Sequence, residues 1–240
     1  MKIVVFEVWG DYAHFRIPYT TSSPLTFPIP TKTALYGIIG AFLGYPKYAY
    51  LDNFQNKSWQ FAVSLKRPIS KTYIPENFIN TKVVKMFARM PKHESCRTQI
   101  NLEFLKSPKF RIYVTSVYQE ELNKLENMLK EHKSMYNIVL GISECLANFE
   151  YIGSFDGKNY TSNNFVEINS IIPLDSNDNL KLDLSWEQKL VKIHLPTEMK
   201  PDRELIETKN FILEKEAKSI RAIVSKYTFI ENLNENIILF

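Results

Sequence analysis

The sequence predicts an α+β fold in two parts. Residues 1–153 read as strand, helix, strand, strand pair, helix and strand, with a basic excursion around 68–98; residues 154–240 read as a smaller, mostly β part. Three observations carry this. An unbroken apolar run is followed by a helix of 3.6-residue period, two stretches of strict alternation flank a short turn, and short apolar runs between turn residues follow Gly153.

The run Ile3–Trp9 is apolar at nearly every position, as in a central strand buried on both faces. Gly10-Asp11 breaks it, and Pro18, Pro24, Pro28 and Pro30 then hold a long loop extended, because proline fixes φ and biases its predecessor away from helix. Arg16 sits in this loop among Tyr12, Phe15, Tyr19 and Phe27, a mixture of cation and rings that suits single-stranded nucleic acid; rings covering the sheet are the plainer reading. From Thr33 to Gly44, Leu35, Ile38, Ile39, Phe42 and Leu43 form one apolar stripe, with Thr31 or Thr33 to cap its start and Gly44 its end. Gly37 and Gly40 inside that helix suggest a close neighbour on their face, and Lys32 beside its start is a candidate phosphate contact.

A second strand reads from Trp59 to Leu65. Lys71, Lys82, Lys85, Arg89, Lys92 and Arg97 then punctuate a stretch too poor in apolar residues for a core element, an extended basic hairpin or loop. Gln99–Leu105 and Phe110–Val114 alternate around Ser107-Pro108, a β-hairpin. Gln119–Lys133 is an amphipathic helix with Leu122, Leu125, Met128 and Leu129 on one face, and Phe149–Ile152 is a strand. This order approximates the β-α-β-β-α-β ferredoxin-like (RRM-like) pattern with insertions, shared by many RNA-binding domains and by unrelated enzymes. Beyond Gly153, Asp156–Asn159 reads as a tight turn, several short strands follow, and the charge-dense Pro196–Lys218 reads as a solvated loop and short helix.

The 240 residues are 45% hydrophobic and 23% charged, the balance of a soluble globular protein. The net charge of +4 hides an asymmetry: residues 1–111 carry 16 Lys/Arg against 6 Asp/Glu, and residues 112–240 carry 14 against 20. Segment 66–111, which includes Arg67, holds 11 basic and 3 acidic residues, the footprint of a polyanion partner. Cys96 and Cys145 have no CxxC partner, which argues against a disulfide framework and a zinc site. No metal-ligand spacing such as HExxH occurs, and no metal or cofactor is called for. No signal peptide or membrane-spanning stretch is read, so the expected location is cytoplasmic with no membrane partner.

The opening motif Trp9–Arg16, with Pro18-Tyr19-Thr20, Thr26–Thr33 and Leu35–Gly40, resembles the start of the fifth CRISPR-associated (Cas) protein family of the RAMP superfamily. Arg97–Lys106 and Leu140–Gly153 are similar to its type I-B branch. The resemblance implies a RAMP fold and a subunit of the Cascade effector complex, involved in CRISPR antiviral defence. That subunit holds the crRNA 5′ handle, caps the backbone filament of RAMP subunits beside the large subunit, and meets target DNA indirectly, since guide pairing reads the target. A thumb-like hairpin contacts the adjacent backbone subunit, and Ser70–Thr98 is where it is expected. The predicted RNA contacts are Arg16, Lys32, Arg67, Lys71, Lys82, Lys85, Arg89, Lys92 and Arg97.

Some relatives cut repeat RNA without metal, a reaction that needs a general acid and base and a cation for the phosphate. Of the four histidines only His93, beside Lys92, is a candidate, with Tyr36 or Tyr73 as possible partners; His14, His132 and His194 read as structural or surface residues. The reading favours a non-catalytic binder. The alternatives are a metal-independent endoribonuclease and a ferredoxin-like interaction module that binds no RNA.

Overall fold

Ile3, Val4, Val5, Phe6 and Val8 are almost wholly shielded from solvent, so the first strand, β1 (Lys2–Trp9), has to lie between two cores. In the computed structural model it does. The structure describes all residues except 21, 48–49, 55–57, 83, 90–95, 175–179 and 185–187, and describes 52, 85 and 87 by their backbone alone. After β1 come β2 (Tyr12–Ala13), β3 (Phe15–Arg16), β4 (Thr26–Phe27), helix α1 (Lys32–Leu43), β5 (Trp59–Leu65), β6 (Lys71–Ile79), the short α2 (Val84–Arg89), β7 (Arg97–Lys106), β8 (Lys109–Ser116), α3 (Gln119–Lys130) and β9 (Asn148–Tyr160). The remainder is β10 (Val166–Ile168), β11 (Ile172–Pro173), β12 (Lys181–Leu182), β13 (Leu190–Met199), β14 (Leu205–Glu214), β15 (Ile220–Ile223), β16 (Tyr227–Ile230) and β17 (Glu235–Ile237).

The main sheet is antiparallel throughout, in the order β17-β16-β9-β1-β8-β5. The even residues of β1, Val4, Phe6 and Val8, join α1 and α3 in the larger core, while Ile3 and Val5 face a second core with Tyr113, Ile230 and Ile237. The sheet curls until its ends meet: Phe61 and Phe240 exchange backbone hydrogen bonds of 3.1 and 2.9 Å. Glu235 on β17 thereby reaches β8, accepting from the Tyr113 hydroxyl at 2.5 Å and the Arg111 guanidinium at 2.8 Å, and from Lys66 at 3.1 Å.

Helix α1 has the expected ends. Thr31 accepts from the Ala34 N–H, and Gly44 closes the helix at φ 81°. Gly40 packs on Tyr50 and Tyr45, as a close neighbour requires, whereas Gly37 faces open space. On α3, Leu122, Leu125 and Leu129 are buried as the periodicity predicts.

Three expectations change. The turn predicted at Asp156–Asn159 is the interior of β9; a Cβ on Gly157 would sit 2.4 Å from Ile3 Cδ1 and 2.7 Å from Thr228 Cγ2, so this glycine serves strand packing. The boundary expected at residue 153 falls within that same strand, and β16 and β17 complete the first part's sheet. Most of Pro196–Lys218 belongs to the long hairpin β13–β14, whose Leu195, Phe211 and Leu213 enter the larger core; Pro196, which has no N–H to give, lies beside a register shift. Among the described residues no helix is long and apolar enough to cross a membrane.

Candidate nucleic-acid interface

Strands β6 and β7 pair from Lys71↔Leu105 to Ile79↔Arg97, with β2 on the other side of β7. At the base of this arm Leu102, Phe104 and Leu105 are buried; toward its end Asn77, Phe78, Ile79, Arg97, Thr98 and Gln99 are exposed. The basic segment is therefore a hairpin arm whose base belongs to the body and whose far half does not. Lys82 and Arg89 are exposed near its end and Arg97 stands at the start of β7. Lys85 is described by its backbone alone, and Lys92 and His93 lie outside the described residues.

One carboxylate holds the base. Glu103, 7% exposed, accepts from the Thr26 N–H at 3.1 Å, the Lys71 ammonium at 2.8 Å and the Tyr73 hydroxyl at 3.1 Å. Burial raises its pKa, but these donors outweigh burial and hold the carboxyl below the usual range. Its backbone carbonyl accepts from His14 Nδ1 at 2.7 Å, so Nδ1 carries a proton. The His14 N–H in turn donates to Leu140 O at 3.0 Å. Gly141, at φ 98°, lies so close behind that a Cβ would stand 2.0 Å from His14 O. The opening motif, the stretch Arg97–Lys106 and the stretch beginning at Leu140 thus meet around His14 and Glu103.

This geometry revises two predicted contacts. Lys71 is engaged within the chain: its ammonium bonds both Glu103 and Thr26 O, the latter at 3.1 Å, and pins β6 to the opening loop. Lys32 is buried, 6% exposed, with its ammonium 6.0 Å from the Tyr36 ring centroid, a core residue rather than a surface cation. Arg67 is exposed and donates to Ser107 O at 3.4 Å. Of the rings, Phe15 and Phe27 face each other across β3–β4 and are buried, while Tyr19 is 76% exposed.

Arg16 is exposed on β3 and lines a groove of about 490 Å3 between the opening loop, the start of α1 and the β13–β14 hairpin. The opposite wall carries Arg203, from the turn joining β13 to β14. Reading Pro196–Lys218 as a solvated loop hid this residue; the signal available was Pro201-Asp202, a turn-forming pair between two strand-like runs. A second groove of about 500 Å3, lined by Tyr19, Lys71, His194 and Lys215, runs on past Phe27, which borders both.

The described histidines are engaged. His14 is buried, His132 stacks on Phe149 with centroids 4.4 Å apart, and His194 Nδ1 lies 3.2 Å from Asn210 Oδ1. Tyr36 stacks on Phe54 in the core, and burial first, then Glu198 and Glu207, push its hydroxyl pKa up, which disfavours its use as a base.

No curated protein matches the chain. Among solved structures, a CRISPR protein from Archaeoglobus fulgidus is similar over 98% of both chains at 12% identity, with a TM-score of 0.58. A chain of a CRISPR RNA-guided surveillance complex is similar over 91% of both chains at 12% identity, with a TM-score of 0.54. These likenesses concern the fold. In sequence, residues 3–166 match the family model described as CRISPR-associated protein (Cas_Cas5). That match takes in the opening motif, the basic arm and the stretch from Leu140, and by it the chain belongs to the CRISPR-associated Cas5 family.

Proposed function

We propose that this protein is a non-catalytic, crRNA-binding subunit of a type I Cascade effector complex, of the I-B branch, that holds the 5′ handle and caps the backbone filament beside the large subunit. The observation that carries the reading is the β6–β7 arm, anchored through Glu103 and exposed at its basic far half. Family membership and the fold shared with a chain of a CRISPR RNA-guided surveillance complex support placing it in such an assembly. The meeting of the two I-B-like stretches with the opening motif around His14 supports the branch. The order β9-β1-β8-β5, with α1 and α3 as crossovers, supports reading the body as ferredoxin-like.

The arm is the thumb in this reading; Lys82, Lys85, Arg89, Lys92 and Arg97 are its RNA contacts, with Lys71 as their support, and Arg16 and Arg67 are contacts on the body. Each phosphate neutralised releases counterions, so affinity for a repeat-derived RNA falls steeply with salt. Reversing the charge at Lys82, Lys85 and Arg89 together is expected to weaken that affinity at least about a hundredfold, measured by fluorescence anisotropy at fixed salt. Unchanged affinity would remove the thumb from the RNA interface. Incubating repeat RNA with the protein in EDTA separates binder from nuclease: metal-independent cleavage abolished by His93→Ala would establish the enzyme.

A further inference from the structure

Many cations on the body of this protein face carboxylates. Lys2, Lys66, Lys71, Lys109, Arg111, Lys130, Lys200 and Arg221 each have one within 4.0 Å. Arg16 and Arg203 have none among the described residues, and the groove they share is lined by no acid. Two unneutralised guanidinium groups from distant parts of the chain therefore converge on one cavity, together with the hydroxyl-bearing Thr31 and Thr33 and the ring of Tyr50. Such a site is built for an anion, and guanidinium groups match the oxygens of a phosphate in two-pronged fashion.

The presentation of Arg203 is held rather than loose. Its N–H donates to Lys200 O at 2.8 Å, the Lys200 N–H donates to Glu204 O at 2.8 Å, and the Glu204 N–H donates to Asp202 Oδ1 at 3.0 Å. Arg203 also adopts φ 70°, a left-handed conformation that glycine or asparagine takes more readily. An arginine at this position is not explained by the needs of the turn. The adjoining groove past Phe27, with Tyr19, Lys71 and Lys215 on its walls, extends the cavity into a track, which suits a chain of phosphates and bases better than a single ion.

We propose that Arg16 and Arg203 form a clamp on one phosphodiester of the bound RNA, closing the C-terminal hairpin over the opening loop. This rests on the RNA-binding role proposed above and adds a second grip, on the body, to that of the thumb. By spanning two parts of the chain, the bound phosphate also ties them together, so RNA is a stabiliser of the β13–β14 hairpin.

The test is Arg203→Gly in the full chain, because glycine suits the left-handed turn and takes the guanidinium away with its side chain. Thermal stability without RNA should equal or exceed that of the parent. Affinity for a fluorescein-labelled single-stranded repeat RNA should fall about tenfold, with the slope of log K against log salt shallower by about 0.7. Arg16→Ala should do the same, and the double variant should lose less than the two losses combined, since both groups hold one phosphate. Tight RNA binding by the parent with Arg203→Gly unchanged at every salt concentration overturns the clamp and leaves the proposed function standing. No RNA binding by the parent overturns both. Thermal stabilisation of the parent by inorganic phosphate, equal to that by RNA and lost in Arg203→Gly, overturns the assignment to a polynucleotide.

Discussion

Glu235→Ala should lower the unfolding free energy by about 3 kcal/mol, the largest effect expected of any single change considered. Glu235 is 8% exposed and is the acceptor for the buried Tyr113 hydroxyl, for Arg111 and for Lys66. Arg111 also spans to Glu7, with Nη2 at 2.7 Å and Nε at 2.9 Å, and Lys109 reaches the other oxygen of Glu7 at 2.5 Å. Removing one carboxylate leaves a hydroxyl and part of two cations desolvated without a partner, which costs more than the bonds contribute when made. Glu235→Gln keeps an acceptor and should cost less. Urea unfolding at neutral pH measures both; equal, small losses would mean that water replaces the carboxylate.

The same groups set the response to acid. Burial alone would raise the pKa of Glu7, Glu103, Glu126 and Glu235, yet hydrogen bonds and neighbouring cations outweigh it and all four lie below the usual 4.5, Glu126 at about 2. Each therefore binds a proton more readily unfolded than folded. Their stabilisation is fully present above 4.5 and is lost as pH falls toward about 2. The melting temperature should be level from about pH 7 to 5 and drop steeply below about 4.5, and a level profile to about pH 3 would contradict it.

Glu103→Ala carries the second large effect, about 2 kcal/mol, smaller because the Lys71 side chain is 36% exposed and water can take over part of its solvation. Its consequence reaches beyond stability. The carboxylate ties β6, β7 and the opening loop together through Lys71, Tyr73 and Thr26, so its loss should free the base of the arm and weaken RNA binding although Glu103 itself is an anion. A simple electrostatic view predicts the opposite sign, tighter binding once a negative charge is gone. RNA affinity measured well below the melting temperature decides between them.

Much of the body was legible because period and burial coincide. The stripe of α1, its Thr31 cap, the alternation around Ser107-Pro108 and the leucines of α3 each report a local geometry that the chain carries out unaided. What escaped was decided between distant residues. Gly157 in a polar run has the composition of a turn, and only the nearness of Ile3 and Thr228 makes it a strand residue. Charges along β13–β14 mask the inward Leu195, Phe211 and Leu213. At the candidate interface, charge counting found the exposed Lys82 and Arg89 but could not tell that Lys71 and Lys32 are engaged inside, because pairing with Glu103 or packing on Tyr36 has no signature in spacing. Arg203 escaped for a different reason: the charge density of Pro196–Lys218 masks the turn that Pro201-Asp202 marks.

The bond pair between Phe61 and Phe240 sets a timetable. Loop closure between distant residues is slow relative to local hairpins, and strands whose partners are still missing are open to wrong pairing. During synthesis β1, β5 and β8 are complete long before β16, β17 and Phe240 emerge, so until these arrive the curled sheet lacks its bonds at Phe61, and Arg111 has Glu7 but not Glu235. Refolding should accordingly show its slowest conformational phase in the docking of the final strands, and a nascent chain should become resistant to proteolysis late, when Phe240 reaches β5.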